Sequence, residues 1–336
     1  RTVAPHGFSS RTAISSTRSA VSEAGPVLAL VGPTATGKTE AAIRLGLATG
    51  GEVVSADSVQ VYRGMDVGSA KPSVAERRGV PHHLIDVVDP GDVMTVGRYQ
   101  DLARKAISEI HARKRLPIVS GGTGLYVRAA LGEWEIPHIP PDPERRAALE
   151  DRARTEGVRA LWEELRSLDP ERAARIGPGD LPRIVRAFEL GKVRGKQRKS
   201  PYRLWKVGLW RSREEIHRRI AERAVHLWEE GMVEETGRLL EMRLPLDRPP
   251  LSALGYREAA WYLSGRVTWD EGVALFLRNS RRFAKRQLTW WRREEGILWL
   301  RADEAAEWLS MGAKDFLRGM DPSAGVPKEI LAPTPV

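Results

Sequence analysis

The stretch from Val27 to Thr39 constrains this chain more than any other. It reads VLALV and then GPTATGKT: an apolar run, a loop with Gly32 and Gly37 near its two ends, and a helical pattern following through Glu40–Ala48. The loop fits G-x-x-x-x-G-K-[ST], and its strand–loop–helix context is the one that gives the pattern meaning. Glycine lets the backbone curl tightly enough for successive N–H groups to point at phosphate oxygens. The positive end of the next helix adds to the attraction. Gly32, Pro33, Thr34, Ala35, Thr36, Gly37, Lys38 and Thr39 are therefore the expected diphosphate- or nucleotide-binding cradle. Lys38 would reach the terminal phosphates and the Thr39 hydroxyl would hold Mg²⁺. The pattern alone leaves the ligand open, ATP included, and does not say which bond breaks.

Further along, apolar runs alternate with amphipathic ones. Glu52–Ser55 and Leu116–Val119 read as strands and Tyr99–Ala112 as a helix. Such alternation predicts an α/β fold with a parallel sheet covered by helices on both faces. Residues 132–204 change character: over 142–192 strand signal nearly vanishes and Arg, Glu, Ala and Leu dominate, which predicts an inserted helical domain. Val207–Trp210 reads as a returning strand, and helical patterns resume from Arg213 to Arg293. The expected organisation is a P-loop α/β core over 25–131 and 205–303, with a helical C-terminal part, a flexible leader over 1–24 and a frayed tail over 304–336. The leader is rich in Ser and Thr, with Arg1, Arg11 and Arg18 before the first acid, so a targeting remnant is the alternative to plain disorder.

The 336 residues include no Cys, which excludes disulfides and Cys-ligated metal. No apolar run is long enough to span a bilayer, so no membrane association is expected and a cytoplasmic location follows. A net charge of +10 suggests a polyanionic partner. It concentrates in two acid-free runs, 191–206 and 278–293. In the second, Arg278, Arg282, Lys285 and Arg292 fall near one helical face, while Phe276, Phe283 and Trp290 recur at sevens and are expected in the core. Charge runs are commonly just solvated faces. A stripe of one sign beside Trp290-Trp291, however, suits phosphates and stacked bases.

Asp57 lies just past the second strand, at the end where open α/β sheets bind ligands. It reads equally as a general base or as a helix N-cap. His82 and His83 read as structural. Taken together, GPTATGKT, SADSVQVYRGMDVGSAKP (Ser55–Pro72), PHHLID (Pro81–Asp86), GGTGLY (Gly121–Tyr126), GDLPRIVRAFE (Gly179–Glu189), LGYRE (Leu254–Glu258) and AKRQLTWWR (Ala284–Arg292) resemble the tRNA dimethylallyltransferase, or isopentenyl-tRNA transferase, family. The resemblance runs from about Val27 to Leu300. Phe188 stands where that family usually has Leu, Ser69 where it has Thr, and the linker from Glu189 to Arg213 is shorter than its pattern.

The resemblance implies transfer of a dimethylallyl group from its diphosphate to N6 of the adenine 3′ of the anticodon, position 37, in tRNA. The cradle would then hold the donor's diphosphate. Asp57, Lys38, Thr123 and Arg223 would be catalytic. Asp57, Ser58, Val59, Gln60, Arg146, Pro182, Arg183, Arg186, Gly255, Tyr256, Arg257, Arg282, Lys285, Arg286, Gln287, Trp290 and Arg292 would meet the tRNA anticodon loop. The implied cofactor is Mg²⁺ and the expected state is a monomer. Two alternatives share the loop: a prenyltransferase acting on free adenylate, which needs no long basic surface, and a small-molecule kinase. A non-enzymatic RNA-binding module would not need Lys38, Thr39 and Asp57 together.

Overall fold

Val27, Ala29 and Val31 pack on one side of a sheet and Leu28 and Leu30 on the other, and all five are buried. That is the signature of a strand in the middle of a parallel sheet covered on both faces. The structure, a computed structural model, describes residues 24–137 and 139–332. In chain order the first half runs β1 (Ala24–Val31), α1 (Lys38–Thr49), β2 (Glu52–Ser55), β3 (His82–His83), α2 (Val96–Ala112), β4 (Pro117–Gly121), α3 (Gly124–Ala130) and β5 (Trp134–Glu135). Four helices follow: α4 (Pro143–Thr155), α5 (Val158–Leu168), α6 (Pro170–Ala173) and α7 (Leu181–Leu190). The chain returns through β6 (Lys196–Gln197), β7 (Tyr202–Trp210), α8 (Arg213–Leu227), α9 (Val233–Glu241), α10 (Tyr256–Leu263), α11 (Trp269–Trp291), β8 (Ile297–Arg301) and α12 (Ala305–Leu317).

The main sheet has the order β3-β2-β4-β1-β7-β8, and every pairing in it is parallel. All its strands therefore end on the same side, and the loops after β1, β2 and β4 share one crevice. One face packs on α2 and α3 through Tyr99, Ala103, Ile107 and Tyr126. The other packs on α1 and α12 through Ile43, Leu45, Trp308 and Phe316. Helices α4, α5, α6 and α7 have a separate core around Leu149, Leu161, Leu165 and Ile184, in which Phe188 is buried. Asp142, Asp169 and Asp180 cap three of them, each with a proline in the first helical turn. The short antiparallel pair β5–β6 closes the neck of this helical unit.

Strand β3 and the β5–β6 pair carry no hydrophobic signal of their own, β8 is a short apolar run, ILWL, left without an assignment above, and β7 begins five residues earlier than its apolar signal. The tail corrects an expectation. Instead of fraying, residues 305–317 form α12, because Trp308, Leu309, Ala313 and Phe316 recur at helical spacing and all are buried. Phe316 packs against Trp205, and Arg203 lies over its ring at 4.4 Å. The leader expectation falls on residues outside the described set, apart from Ala24. Phe316→Ala should cost about 3–5 kcal/mol, the range for emptying a buried aromatic site. Urea unfolding of parent and variant checks this, and a loss below about 1 kcal/mol would mean the helix adds little to the fold.

Candidate active site

The loop after β1 is bent hard and pinned from several directions. Gly32 has φ 141° and Gly37 φ 92°, while Ala35 takes the left-handed region at φ 66°. A Cβ on Gly32 would lie 2.7 Å from the Leu209 carbonyl oxygen of the neighbouring strand, so only glycine fits there. The buried Thr36 hydroxyl donates to the Pro33 carbonyl at 2.9 Å, and Lys38 Nζ donates to the same oxygen at 2.6 Å. Arg219 Nε holds the Ala35 carbonyl at 2.9 Å and Arg211 Nε the Thr36 carbonyl at 3.3 Å. The Thr34 N–H donates to Gln287 Oε1 at 2.8 Å, and Gln287 Nε2 donates to the Gly122 carbonyl at 3.0 Å. The loop is thus held in shape by the protein's own contacts. Thr39 is exposed beside it, and its hydroxyl has no hydrogen bond among the described residues.

Three charged groups face one another here. Burial pushes the Lys38 ammonium down to about 7; the Asp57 carboxylate works against this and the Arg223 guanidinium adds to it. Arg223 is likewise lowered, by burial first, with Asp57 opposing and Arg219 assisting. Among the described residues Arg223 makes no hydrogen bond or ion pair. Desolvated, unpaired cations of this kind mark an anion site.

Asp57 precedes a turn rather than a helix, and it is this turn that its side chain caps. Its Oδ1 accepts the Val59 and Gln60 N–H groups at 2.8 and 3.3 Å, leaving Oδ2 without a donor among the described residues. Thr123 stands next to it. The Thr123 N–H donates to the Ala56 carbonyl at 3.2 Å, and its hydroxyl accepts the Ser58 N–H at 3.3 Å. Two crevices, of about 1030 and 540 Å³, meet at this point and share Thr34, Asp57, Ser69, Arg223, Leu227 and Phe283. Lys38 lies on the larger side; Ser58, Val59 and Thr123 lie on the smaller.

Several residues assigned to the RNA side do something else in this structure. Gln287 is buried, bridging two loops. Tyr256 is fully buried, with its hydroxyl on Glu235. Gly255, at φ 91°, starts α10 where a Cβ would lie 2.8 Å from Met232 Sδ. Gln60 Nε2 reaches back to the Ser69 and Ala70 carbonyls at 3.4 Å. Trp290 lies against Gly124 with Arg128 over its ring, and Trp291 is in the core, so neither offers a free stacking face. Arg146 and Arg186 both bind the buried Glu189. Pro182 is exposed, as is Arg183, which pairs with Asp180 at 3.4 Å. Arg257 reaches Glu258 and lines the smaller crevice with Arg282 and Arg286. Arg282, Lys285, Arg286 and Arg292 are all exposed and make no ion pair among the described residues. Phe283 was expected in the core with its heptad partners but lines the throat. Arg211 and Arg219 carried no motif that would have singled them out.

A family profile described as IPP transferase matches residues 60–294. A protein of Thermomicrobium roseum named tRNA dimethylallyltransferase is 50% identical over 281 residues, 82% of this chain and 85% of the relative. One of the same name from Roseiflexus is 45% identical over 285 residues, 83% and 93% of the two chains. The solved full-length tRNA isopentenylpyrophosphate transferase of Bacillus halodurans is 42% identical, with a TM-score of 0.66 over 88% of this chain and 96% of that one. A eukaryotic dimethylallyltransferase acting on tRNA shares the fold at a TM-score of 0.72 and 23% identity, covering 91% and 83%.

Because Lys38 titrates near neutrality, an incoming diphosphate should raise its pKa and draw a proton from solvent. Near pH 8 the parent should take up about one proton more than Lys38→Met on binding inorganic diphosphate. The excess should vanish toward pH 6, where Lys38 is already charged. Calorimetry in buffers of different ionisation enthalpy measures it; equal uptake by both proteins would refute the assignment.

Proposed function

The chain belongs to the IPP transferase family, and from that premise we propose how its site works as a tRNA dimethylallyltransferase. It moves the dimethylallyl group from dimethylallyl diphosphate to N6 of the adenine 3′ of the anticodon, position 37, and releases diphosphate. The observation that supports this best is the meeting of two crevices at Asp57 and Arg223. One crevice carries the phosphate cradle and can take the donor; the other can take a base pulled out of the anticodon loop. The relatives' names favour a tRNA acceptor over free adenylate and a prenyl donor over ATP. The unpaired basic face of α11 agrees with the first, since a free nucleotide would not need it.

The N6 lone pair is delocalised into the adenine ring, so the nucleophile is weak and must be held in line with the reacting carbon. As the C–O bond to diphosphate lengthens, negative charge gathers on the leaving oxygens. Lys38 and Arg223 already point positive charge at that place. Asp57 Oδ2 can accept a hydrogen of the N6 amine and take its proton as the new C–N bond forms. Thr123, fixed to Ser58, holds the base against Asp57.

Among the described residues no cluster of His, Asp and Glu could hold a metal by itself. A free hydroxyl at Thr39 beside a diphosphate site does suit Mg²⁺, which typically takes few protein ligands and completes its shell with phosphate oxygens and water. When bound there, Mg²⁺ would add positive charge at the leaving group. The helical unit over 132–204, through the exposed start of α7, is proposed to contact the tRNA. Action as a monomer in the cytoplasm belongs to the same proposal; no helix among the described residues is long and apolar enough to cross a membrane.

Mass spectrometry of anticodon-loop fragments after incubation with dimethylallyl diphosphate should show one added prenyl group, and ATP in its place should give none. Asp57→Asn should lower kcat by about 10²–10⁴-fold at little change in donor KM, with the parent's melting temperature. Turnover within about threefold of the parent would remove Asp57 as the base. If about 5–8 phosphates are neutralised, log affinity for tRNA should fall with log salt at a slope of about −4 to −7. Arg282→Glu with Lys285→Glu should flatten that slope, whereas an unchanged slope would make the stripe a solvated face.

A further inference from the structure

Glu235, on α9, is a buried carboxylate that no motif singled out, and it does not touch either crevice. It is 2% exposed. Its Oε2 accepts the N–H groups of Asp66 and Val67 at 2.8 and 3.0 Å. Its Oε1 accepts the Gly68 N–H at 3.2 Å and the Tyr256 hydroxyl at 2.5 Å. A carboxylate this deep is tolerated only when donors surround it, and here three consecutive amides supply most of them. Tyr256 remains a donor throughout the ordinary pH range, because burial and the adjacent carboxylate both raise its phenol. Gly68 completes the fit: a Cβ there would lie 2.6 Å from the Tyr256 ring.

The segment so gripped is one wall of the throat. Ser69 lines both crevices, Val67 and Ala70 the donor side, and Gly68 the other. The facing wall is Arg223 and Leu227 of α8 with Phe283 of α11. Lys71 fastens the far end of the segment to Asp66, Asp86 and the Tyr62 carbonyl, all within the α/β half. Glu235 and Tyr256 fasten it to the helical half. They therefore set the spacing between the two walls where the allylic carbon would pass.

We propose that Glu235, with Tyr256, is a positioning pair that fixes this wall and keeps the throat closed to water during transfer; the proposal rests on the prenyl-transfer reading above. The consequence is chemical. If the wall loosens, water competes with N6. A water oxygen then bonds to the allylic carbon, the C–O bond to diphosphate breaks with its electron pair leaving on diphosphate, and the extra proton passes to solvent. The products are dimethylallyl alcohol and diphosphate. Exclusion of water from reactive intermediates is a general function of closed sites.

The test follows C1-labelled dimethylallyl diphosphate with an anticodon stem-loop, counting label in RNA and in alcohol. Glu235→Gln keeps the volume but replaces one acceptor oxygen by an NH₂ that cannot accept an N–H. It should lower kcat for RNA transfer roughly 10- to 100-fold, the scale of an ångström-sized misplacement. The share of label appearing as alcohol should rise, the Kd of inorganic diphosphate should stay at the parent's value, and the Asp66–Gly68 amides should exchange faster. Tyr256→Phe, which removes one hydroxyl, should move the rate and the alcohol share the same way by a smaller factor, and it carries the test if Glu235→Gln does not fold. Parental transfer rate and parental alcohol share in the folded variant would overturn the proposal. So would a loss confined to melting temperature, with activity per folded molecule unchanged. Failure of the parent itself to label RNA would overturn the functional reading beneath it, and shows before any variant is compared.

Discussion

The Gln287 side-chain amide joins the two ends of the chain. Its oxygen takes the Thr34 N–H from the phosphate loop and its nitrogen holds the Gly122 carbonyl after β4, across sequence separations of 253 and 165 residues. The approach is so close that a Cβ on Gly122 would collide with it. One amide thereby locks the loops of two neighbouring strands to the helix that carries the basic stripe. Both its polar ends are satisfied and it is buried, so breaking either contact would leave an unpaired group in a dry place. The rest of the site inherits this rigidity. Thr123 follows Gly122 and carries the fixed geometry to Ser58 and so to the Asp57 turn. The exposed face of α11 is held in register with the reaction centre below it.

A pinned loop makes sense of the charges. Lys38 and Arg223 are both destabilised as cations by burial, with Asp57 working against the lowering of each. Such an arrangement costs stability in the free protein and is held by surrounding structure. On the proposed reading, its return would be positive charge held in place where a diphosphate leaves, the condition under which electrostatic stabilisation is strongest. The Asp57 side chain lies beside these cations and also lines the other crevice. Its Oδ1 is anchored by two backbone amides, so the acceptor lone pairs are aimed.

What could be read from the sequence was what has local physics. The apolar run before GPTATGKT marks β1, because a strand buried on both faces shows as a continuous apolar run, and the bounds expected for Glu52–Ser55 are those the structure has. Asp57 and Lys38 stood out by position, one past a strand end and the other in the phosphate loop, whereas Thr123 entered only through the family resemblance. What escaped depends on contacts distant in sequence. His82–His83 is a strand only because β2 lies beside it. Phe276, Phe283 and Trp290 share one face of α11 by their spacing, yet what that face meets changes along the helix: Phe276 packs in the cluster around Trp228, Phe283 lines both crevices and Trp290 packs against Gly124. Tyr256 and Gln287 were read as RNA contacts because they belong to motifs, and a motif records importance without saying whether it lies in binding or in support. Glu235 stands in no motif, and its four donors come from residues that are distant until the fold is made.

The same distinction changes how the RNA surface divides its work. Arg146 and Arg186 share one carboxylate, Glu189, whose side chain is 1% exposed, and Arg186 also holds the Ile139 carbonyl at 2.8 Å. Releasing both to a phosphate would leave a buried anion without its partners, a loss of several kcal/mol that one exposed phosphate contact does not return. These two arginines are therefore bound up in the neck of the helical unit, where they orient it against the core. Arg282, Lys285 and Arg292 have no such obligation. They are exposed and unpaired among the described residues, on a helix whose register is set by Gln287. On the proposed tRNA reading, phosphate neutralisation would fall chiefly to α11 and its flank, and the helical unit would contribute shape through the exposed start of α7. Affinity and placement then rest on different parts of the molecule, and the first is the one that salt will reach.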